Sequence, residues 1–214
     1  LPSERAEHHR GFAAVLQQRV DAGRTEWAAQ TAEHWQQARD LPRTFDALVT
    51  ARQHAQRSFA PLTAARLGEQ MLELWPQIPG AAERASTGLL DLYLDIVMVW
   101  RLHDSPRVIR LVDSALTAEP NDRLGAARLL AEAAGSHGND GRMTEALRTA
   151  ERARALLEED DPAHATVIAR ILGITSTLPG SLLGSEDARW QLADTALAMA
   201  ERGGDTEALS TCLT

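Results

Sequence analysis

Two aspartates attract attention because they interrupt the most apolar segment of the chain. Asp91 and Asp95 lie four residues apart within Leu89–Trp100, where nearly all other side chains are apolar. On a helix, this spacing places both carboxylates on the same face. Unpaired carboxylates avoid dry protein cores, so that face is expected to meet solvent or a binding groove. A groove that combines acids, arginines and a nearby aromatic ring suits a peptide or a polar small molecule.

The histidines and the other acidic residues give little indication of a catalytic or metal site. The seven histidines include no HExxH pair, and the adjacent His8 and His9 must point to different helix faces. His34 is interpreted as a packing or capping residue. The acidic run 158–161 is typical of a solvated helix end followed by a cap, with a cation site as the alternative. Because no nucleophile, base and orienting group can be placed together, we expect no enzyme activity, no metal site and no cofactor.

Composition narrows the functional classes further. The formal charge of −8 makes the chain a poor electrostatic partner for nucleic acid, so direct nucleic-acid binding is not expected. All 22 basic residues are arginine, which excludes Schiff-base chemistry and a P-loop lysine within this chain. No apolar run approaches the roughly 20 residues of a membrane span. Cys212 is the only cysteine, which favours a reducing, cytoplasmic location.

Helix signals recur along the whole chain, and they predict an all-α fold. Alanine and leucine dominate, and both favour helices. Pro61 suits an early position in a helix that ends at Trp75, and Ser185 suits the cap of a late helix. The segment 81–102 is predicted to form one long helix. Ser105 and the Asp161–Pro162 pair are each predicted to start another helix.

Small and apolar residues recur in steps of four and three along the second helix of each predicted pair. These steps place the residues on one helix face, where small side chains let the preceding helix approach closely. In two cases a proline follows five residues later and forces the chain to turn. The sets are Ala28, Ala32 and Trp35; Ala64, Gly68 and Met71; Val108, Val112 and Ala115; Ala146, Ala150 and Ala153; and, more weakly, Ala188, Leu192 and Thr195.

This pattern resembles the second helix of a tetratricopeptide repeat, which carries alanine and proline at the same steps. The starting positions lie 36 to 44 residues apart, more than the usual 34, and the aromatic position holds other residues. The resemblance implies a right-handed superhelical solenoid of about five antiparallel helix pairs. We expect one such domain over residues 1–214. Since the chain begins at Leu1 without methionine, we also expect it to be a fragment of a longer multidomain protein.

Longer segments resemble the solenoid region of large ATP-binding LuxR-type transcriptional regulators, which are STAND ATPases. The segments are LPSERAEHHRGFAAVLQQR, AEHWQQARDLPRTFDALVTARQHA and ADTALAMAERGGDTEAL. The resemblance implies a sensor or interaction arm within such a regulator. The family's ATPase motifs and DNA-binding helix-turn-helix are absent from this sequence, so neither activity is expected of this chain.

In a two-layer solenoid, the exposed stripe of each first helix lines the concave groove. We therefore predict a groove formed by Asp91, Asp95 and Met98, flanked by Arg57 and Arg128 from the neighbouring first helices. The groove would bind a small-molecule inducer or a protein partner. The alternative is that the aspartates only solvate an exposed stripe and pair with local arginines. A structural module that mediates self-association without a ligand is the second functional hypothesis.

Overall fold

The computed structural model describes residues 2–203, with side chains described for residues 4–201. Within residues 2–203 it contains twelve α-helices and no strand, so the predicted all-α class is confirmed there. None of these helices is both long enough and apolar enough to cross a membrane. The chain divides into two compact units, with the boundary between Val99 and Trp100. Cys212 lies outside the described residues.

The first unit contains six helices, and α6 ends at the unit boundary. Consecutive helices pack against one another from α1 to α4, and α5 packs against α3. The core includes Trp35, Phe45 and Met71, which are at most 3% exposed. The helices are α1 (Pro2–Asp21), α2 (Ala28–Gln37), α3 (Leu41–Arg57), α4 (Pro61–Leu74), α5 (Ala81–Ala85) and α6 (Leu89–Trp100).

The second unit contains the other six helices. Here α8 packs against α7, α9 and α10, and α10 also packs against α12. Alanines on α8, including Ala127, Ala131 and Ala134, are fully buried and allow this close packing. The helices are α7 (Ser105–Ala118), α8 (Arg123–Asn139), α9 (Met143–Arg154), α10 (Ala165–Ser176), α11 (Gly180–Leu183) and α12 (Glu186–Gly203).

The first four sets of small and apolar residues form buried helix faces, as predicted. Every member of these sets is buried, and Ala28, Val108 and Ala146 are fully so. The fifth set was wrong, because Ala188 and Leu192 are only partly buried and Thr195 is exposed. The buried residues of α12 lie about one turn later and include Ala196, Met199 and Ala200.

The predicted long helix over 81–102 was wrong, since it is broken between α5 and α6. Ser86 has a left-handed φ of 52° and ends α5. The amide of Thr87 donates to the carbonyl of Ala82 at 3.2 Å, which closes the turn. Serine, threonine and glycine follow one another here, and all three are weaker helix formers than alanine or leucine. These three residues interrupt the helix, although apolar residues continue on both sides of them.

Two predicted helix starts are shifted, and one is confirmed. Asp104, rather than Ser105, caps α7, because its carboxylate accepts a hydrogen bond from the amide of Arg107 at 3.0 Å. The Asp161 carboxylate accepts from the amide of Ala163 at 2.9 Å, which makes a turn, and α10 begins later at Ala165. The Ser185 hydroxyl accepts from the amide of Ala188 at 3.0 Å, as expected of a cap.

Candidate functional site

An open depression of about 570 Å³ lies in the first unit, between the C-terminal halves of α3 and α6 and the start of α4. Its floor is apolar and largely buried, and its rim is mostly exposed. The rim carries both charged groups and an aromatic ring. The floor is lined by Ala64, Ala65, Ile96, Met98 and Val99, and the rim by Arg52, Gln56, Phe59, Pro61 and Asp95.

An ion pair between α3 and α6 forms the charged part of the rim. The Nη2 atom of Arg52 lies 2.6 Å from the Oδ2 atom of Asp95. The two side chains differ in exposure, at 11% for Arg52 and 55% for Asp95. The Nε atom of Arg52 is buried and has no hydrogen-bond partner among the described residues. The carboxylate is therefore the charge that this depression presents to solvent.

A glycine of the repeat pattern allows α6 to approach α4. A methyl group placed on Gly68 would lie 2.9 Å from both the Cδ1 and the Cγ1 atoms of Ile96. It would also lie 3.5 Å from the Nε atom of Arg52. The absence of a side chain at this position lets Ile96 reach the floor of the depression. The repeat pattern thus contributes directly to the geometry of the site.

Phe59 is the least expected residue of the site. Its side chain is 93% exposed, and its backbone has a left-handed φ of 53°. The amide of Phe59 donates to the carbonyl of Gln56 at 3.1 Å, and that of Ala60 donates to Ala55 at 2.9 Å. This is the Schellman pattern at a helix C-terminus, where glycine is the usual residue.

The same hydrogen-bond pattern ends four other helices. The left-handed residue is glycine after α1 and α8 (Gly23 and Gly141) and another residue after α2 and α5 (Arg39 and Ser86), so Phe59 differs from the others in carrying an aromatic ring. A bulky side chain in this conformation is an energetic outlier. Phe59 thus combines backbone strain with an exposed aromatic ring, an arrangement that packing does not explain. The repeat pattern did not indicate Phe59; the available signal was an aromatic residue in the turn before Pro61.

The structure brings two of the five predicted groove residues to this depression, namely Asp95 and Met98. Asp91 and Arg57 are not among the residues that line it. Asp91 lies one turn earlier, and its Oδ2 atom would be 3.2 Å from a methyl group on Gly88. Arg128 is an exposed residue of α8 in the second unit.

The cation of the site is Arg52 rather than Arg57, and helix geometry explains the difference. Residues 52, 56 and 59 follow steps of four and three, so they share one face of α3 and its end. Arg57 is five residues from Arg52, which turns it by about 140° around the helix. The alternative prediction was that the aspartates solvate an exposed stripe and pair with local arginines, and the pairing of Asp95 with Arg52 is an ion pair of this kind.

A second charged cluster lies in the second unit, around Glu132 of α8. Glu132 is only 4% exposed. Its Oε1 atom lies 2.6 Å from the Nη2 atom of Arg170, and its Oε2 atom lies 3.3 Å from the Nη1 atom of Arg101. Both carboxylate oxygens are therefore bonded to arginine. This cluster links α8 to α10 and leaves no exposed carboxylate oxygen for a ligand.

The histidines near the start of the chain serve the contact between α1 and α2. The Nδ1 atoms of His9 and His34 are 2.8 Å apart, and the Phe12 ring stacks on His34 with a centroid distance of 5.6 Å. This arrangement agrees with the packing role predicted for His34. Across the described residues, no group of three or more potential metal ligands comes together.

Comparisons with protein-family models, with curated proteins and with solved structures gave no match to this chain.

Proposed function

We propose that this chain is a non-catalytic, tetratricopeptide-like module that binds a segment of a partner protein at the depression between α3, α4 and α6. The proposal extends to the predicted context, a sensor or interaction arm of a LuxR-type transcriptional regulator. Helix pairs that pack through small-residue faces in chain order support the repeat architecture. The sequence resemblance alone supports the regulator context.

The observation that carries the binding proposal is the exposed Phe59 ring beside a buried apolar floor. Strained backbone in a folded protein often marks a functional position, since the surrounding structure must hold it. Aromatic residues are also enriched among the few residues that dominate the energy of protein interfaces. A partner that covers Phe59 and the partly exposed Met98 and Val99 would gain most of its affinity from these contacts.

The shape of the depression favours a protein segment over a small-molecule inducer. Small-molecule sites typically bury about 70–90% or more of their ligand. Here the aromatic ring at the rim is 93% exposed, and Asp95 and Gln56 are also exposed. A protein segment can cover an open surface of this kind, because its flanking residues extend beyond the depression. The lining residues provide apolar surface and hydrogen-bonding groups rather than a nucleophile with a base.

A peptide-display selection on the immobilised full chain tests this proposal. Peptides that are enriched should bind the Phe59→Gly variant at least about tenfold more weakly, which corresponds to about 1.4 kcal/mol. Arg39→Gly is the matched control, because Arg39 also has a left-handed φ, 60°, at the end of α2 and does not line the depression. Equal binding to wild type and Phe59→Gly, or no enriched peptide, would reject the proposal. If no peptide is enriched but a compound from a small-molecule library raises the thermal unfolding temperature of the chain, a small-molecule inducer would be the favoured ligand instead.

Self-association is the second candidate, and the surface of α1 favours it. Phe12 and Val15 lie three residues apart on one face of α1 and are 61% and 54% exposed. Two such faces could bury one another in a symmetric dimer. Light scattering over a range of concentrations tests this, with Phe12→Ser/Val15→Ser as the variant expected to remain monomeric. A wild-type chain that is monomeric at every concentration would exclude self-association.

A further inference from the structure

The ion pair at the depression is unequal, and this inequality indicates which charge a partner would bring. Asp95 is 55% exposed, whereas Arg52 is 11% exposed. Arg52 bonds only the Oδ2 atom of Asp95. The Oδ1 atom has no hydrogen-bond partner among the described residues, so it can accept a hydrogen bond from a bound molecule. The available charge of the site is therefore negative.

An anionic partner fits this geometry poorly. Arg52 is enclosed by its own helix, by α4 at Gly68 and by Asp95 of α6, so an anion would have to displace the carboxylate. Bringing a negative group beside the exposed Asp95 would also be repulsive. The chain as a whole carries a formal charge of −8, which favours the approach of basic partners over acidic ones.

The other lining residues suit the shape of a long cationic side chain. Arginine and lysine have apolar stems that can lie along hydrophobic surface while the charged group stays at the edge. Met98 and Val99 provide such a surface near Asp95, and methionine adapts readily to different shapes. An exposed aromatic ring such as Phe59 can also attract a cation to its face.

We propose that the depression recognises a partner segment in which an apolar residue stands next to an arginine or lysine. The cationic group pairs with the Oδ1 atom of Asp95, and the apolar side chain packs against the partly exposed Met98 and Val99 and the exposed Phe59 ring. This inference rests on the proposed function, because it names the chemistry of the partner at the same site.

The test resynthesises the most enriched display peptide with its basic residue replaced by citrulline, a neutral analogue of arginine. On the wild-type chain, we expect the citrulline peptide to bind about tenfold more weakly, because it loses a charge-assisted bond. On the Asp95→Asn variant, the two peptides should bind equally. Asp46→Asn is the matched control, since Asp46 is also about half exposed and pairs with Arg84 across α3 and α5, outside the depression.

The outcomes separate the two proposals. The cation inference is wrong if enriched peptides lack a basic residue, or if citrulline or Asp95→Asn leaves their affinity unchanged. In either case the binding proposal stands as long as Phe59→Gly weakens the binding. If Phe59→Gly has no effect, or if no peptide is enriched, both are wrong. Loss of binding in Asp46→Asn equal to that in Asp95→Asn would also overturn the inference, because the effect would then be structural.

Discussion

Asp95 and Glu132 are both acidic residues that pair with arginine between helices, yet their surroundings give them different roles. Asp95, in the first unit, is half exposed and uses one oxygen for its pair. Glu132, in the second unit, is 4% exposed and uses both oxygens. Exposed pairs contribute little to stability, whereas loss of one partner from a buried pair leaves an uncompensated charge. Burial, rather than the presence of an ion pair, therefore separates a structural carboxylate from one that remains available for binding.

The largest expected effect comes from removing the buried carboxylate. Glu132→Ala should lower the free energy of unfolding by about 3 kcal/mol, because two partly buried arginines lose their counter-charge. Urea denaturation of the full chain measures this. Replacing the three residues together by Arg101→Met, Glu132→Leu and Arg170→Met should recover most of the loss. A loss below about 1 kcal/mol for Glu132→Ala would show that the cluster is as weak as an exposed pair.

The next effect concerns the close approach of α6 to α4 in the first unit. Gly68→Ala should destabilise the chain by about 1 kcal/mol, because the clash of the added methyl group with the buried Ile96 outweighs the gain in helix propensity. The matched control is Gly11→Ala in α1, where nothing lies within 4 Å of the added methyl group. That control should stabilise the chain by about 0.5–1 kcal/mol through helix propensity. Equal effects of both substitutions would mean that α6 does not approach α4 as closely as described.

A smaller effect, of opposite sign, is expected at the rim of the depression. Phe59→Gly should stabilise the chain by about 0.5–1 kcal/mol. Glycine relieves the left-handed strain, and this gain exceeds the loss from the greater freedom of glycine in the unfolded chain. Arg39→Gly should do the same, and thermal unfolding measures both. Stabilisation together with weaker peptide binding would mark Phe59 as a residue kept for binding at a cost in stability. Destabilisation by Phe59→Gly would instead assign its ring a packing role.

The exposed pair itself should have a still smaller effect on stability. Asp95→Asn and Asp46→Asn should each change the free energy of unfolding by no more than about 0.5 kcal/mol, because both carboxylates are half exposed. Urea denaturation in low and high salt measures this, and the small difference should shrink in high salt. A loss from Asp95→Asn that approached the loss from Glu132→Ala would remove the distinction between the two carboxylates.

The smallest expected effect is a pH dependence at the end of α8, five residues after Glu132. Burial, followed by the Arg142 charge, lowers the pKa of His137 below its usual 6.5. As the pH falls through about 6.5, the unfolded chain binds a proton that the folded chain resists, so stability falls. Urea denaturation at pH 7.5 and pH 5.5 should show a smaller difference for His137→Gln than for wild type. An unchanged difference would show that His137 does not contribute to the pH dependence.

Local patterns predicted some features well, and the physical reason is clear in each case. The four buried faces that begin at Ala28, Ala64, Val108 and Ala146 follow from helical periodicity, which depends only on residues a few positions apart. The break at Ser86 was missed because the apolar pattern continued on both sides of it. The shifted face of α12 was missed because alanines surround it, so several registers fit the pattern equally well.

Patterns of nearby residues were sufficient to predict a helical chain, packing faces marked by small residues, and a shared face for Asp95 and Met98 on an apolar helix. The folded structure was needed to show that Arg52 rather than Arg57 pairs with Asp95, that two arginines enclose Glu132, and that Phe59 is exposed beside an apolar floor. These features depend on which helix ends meet, and residues far apart in the chain control that packing. Periodicity reports the face on which a side chain lies, but it carries no information about the neighbour that the face will meet.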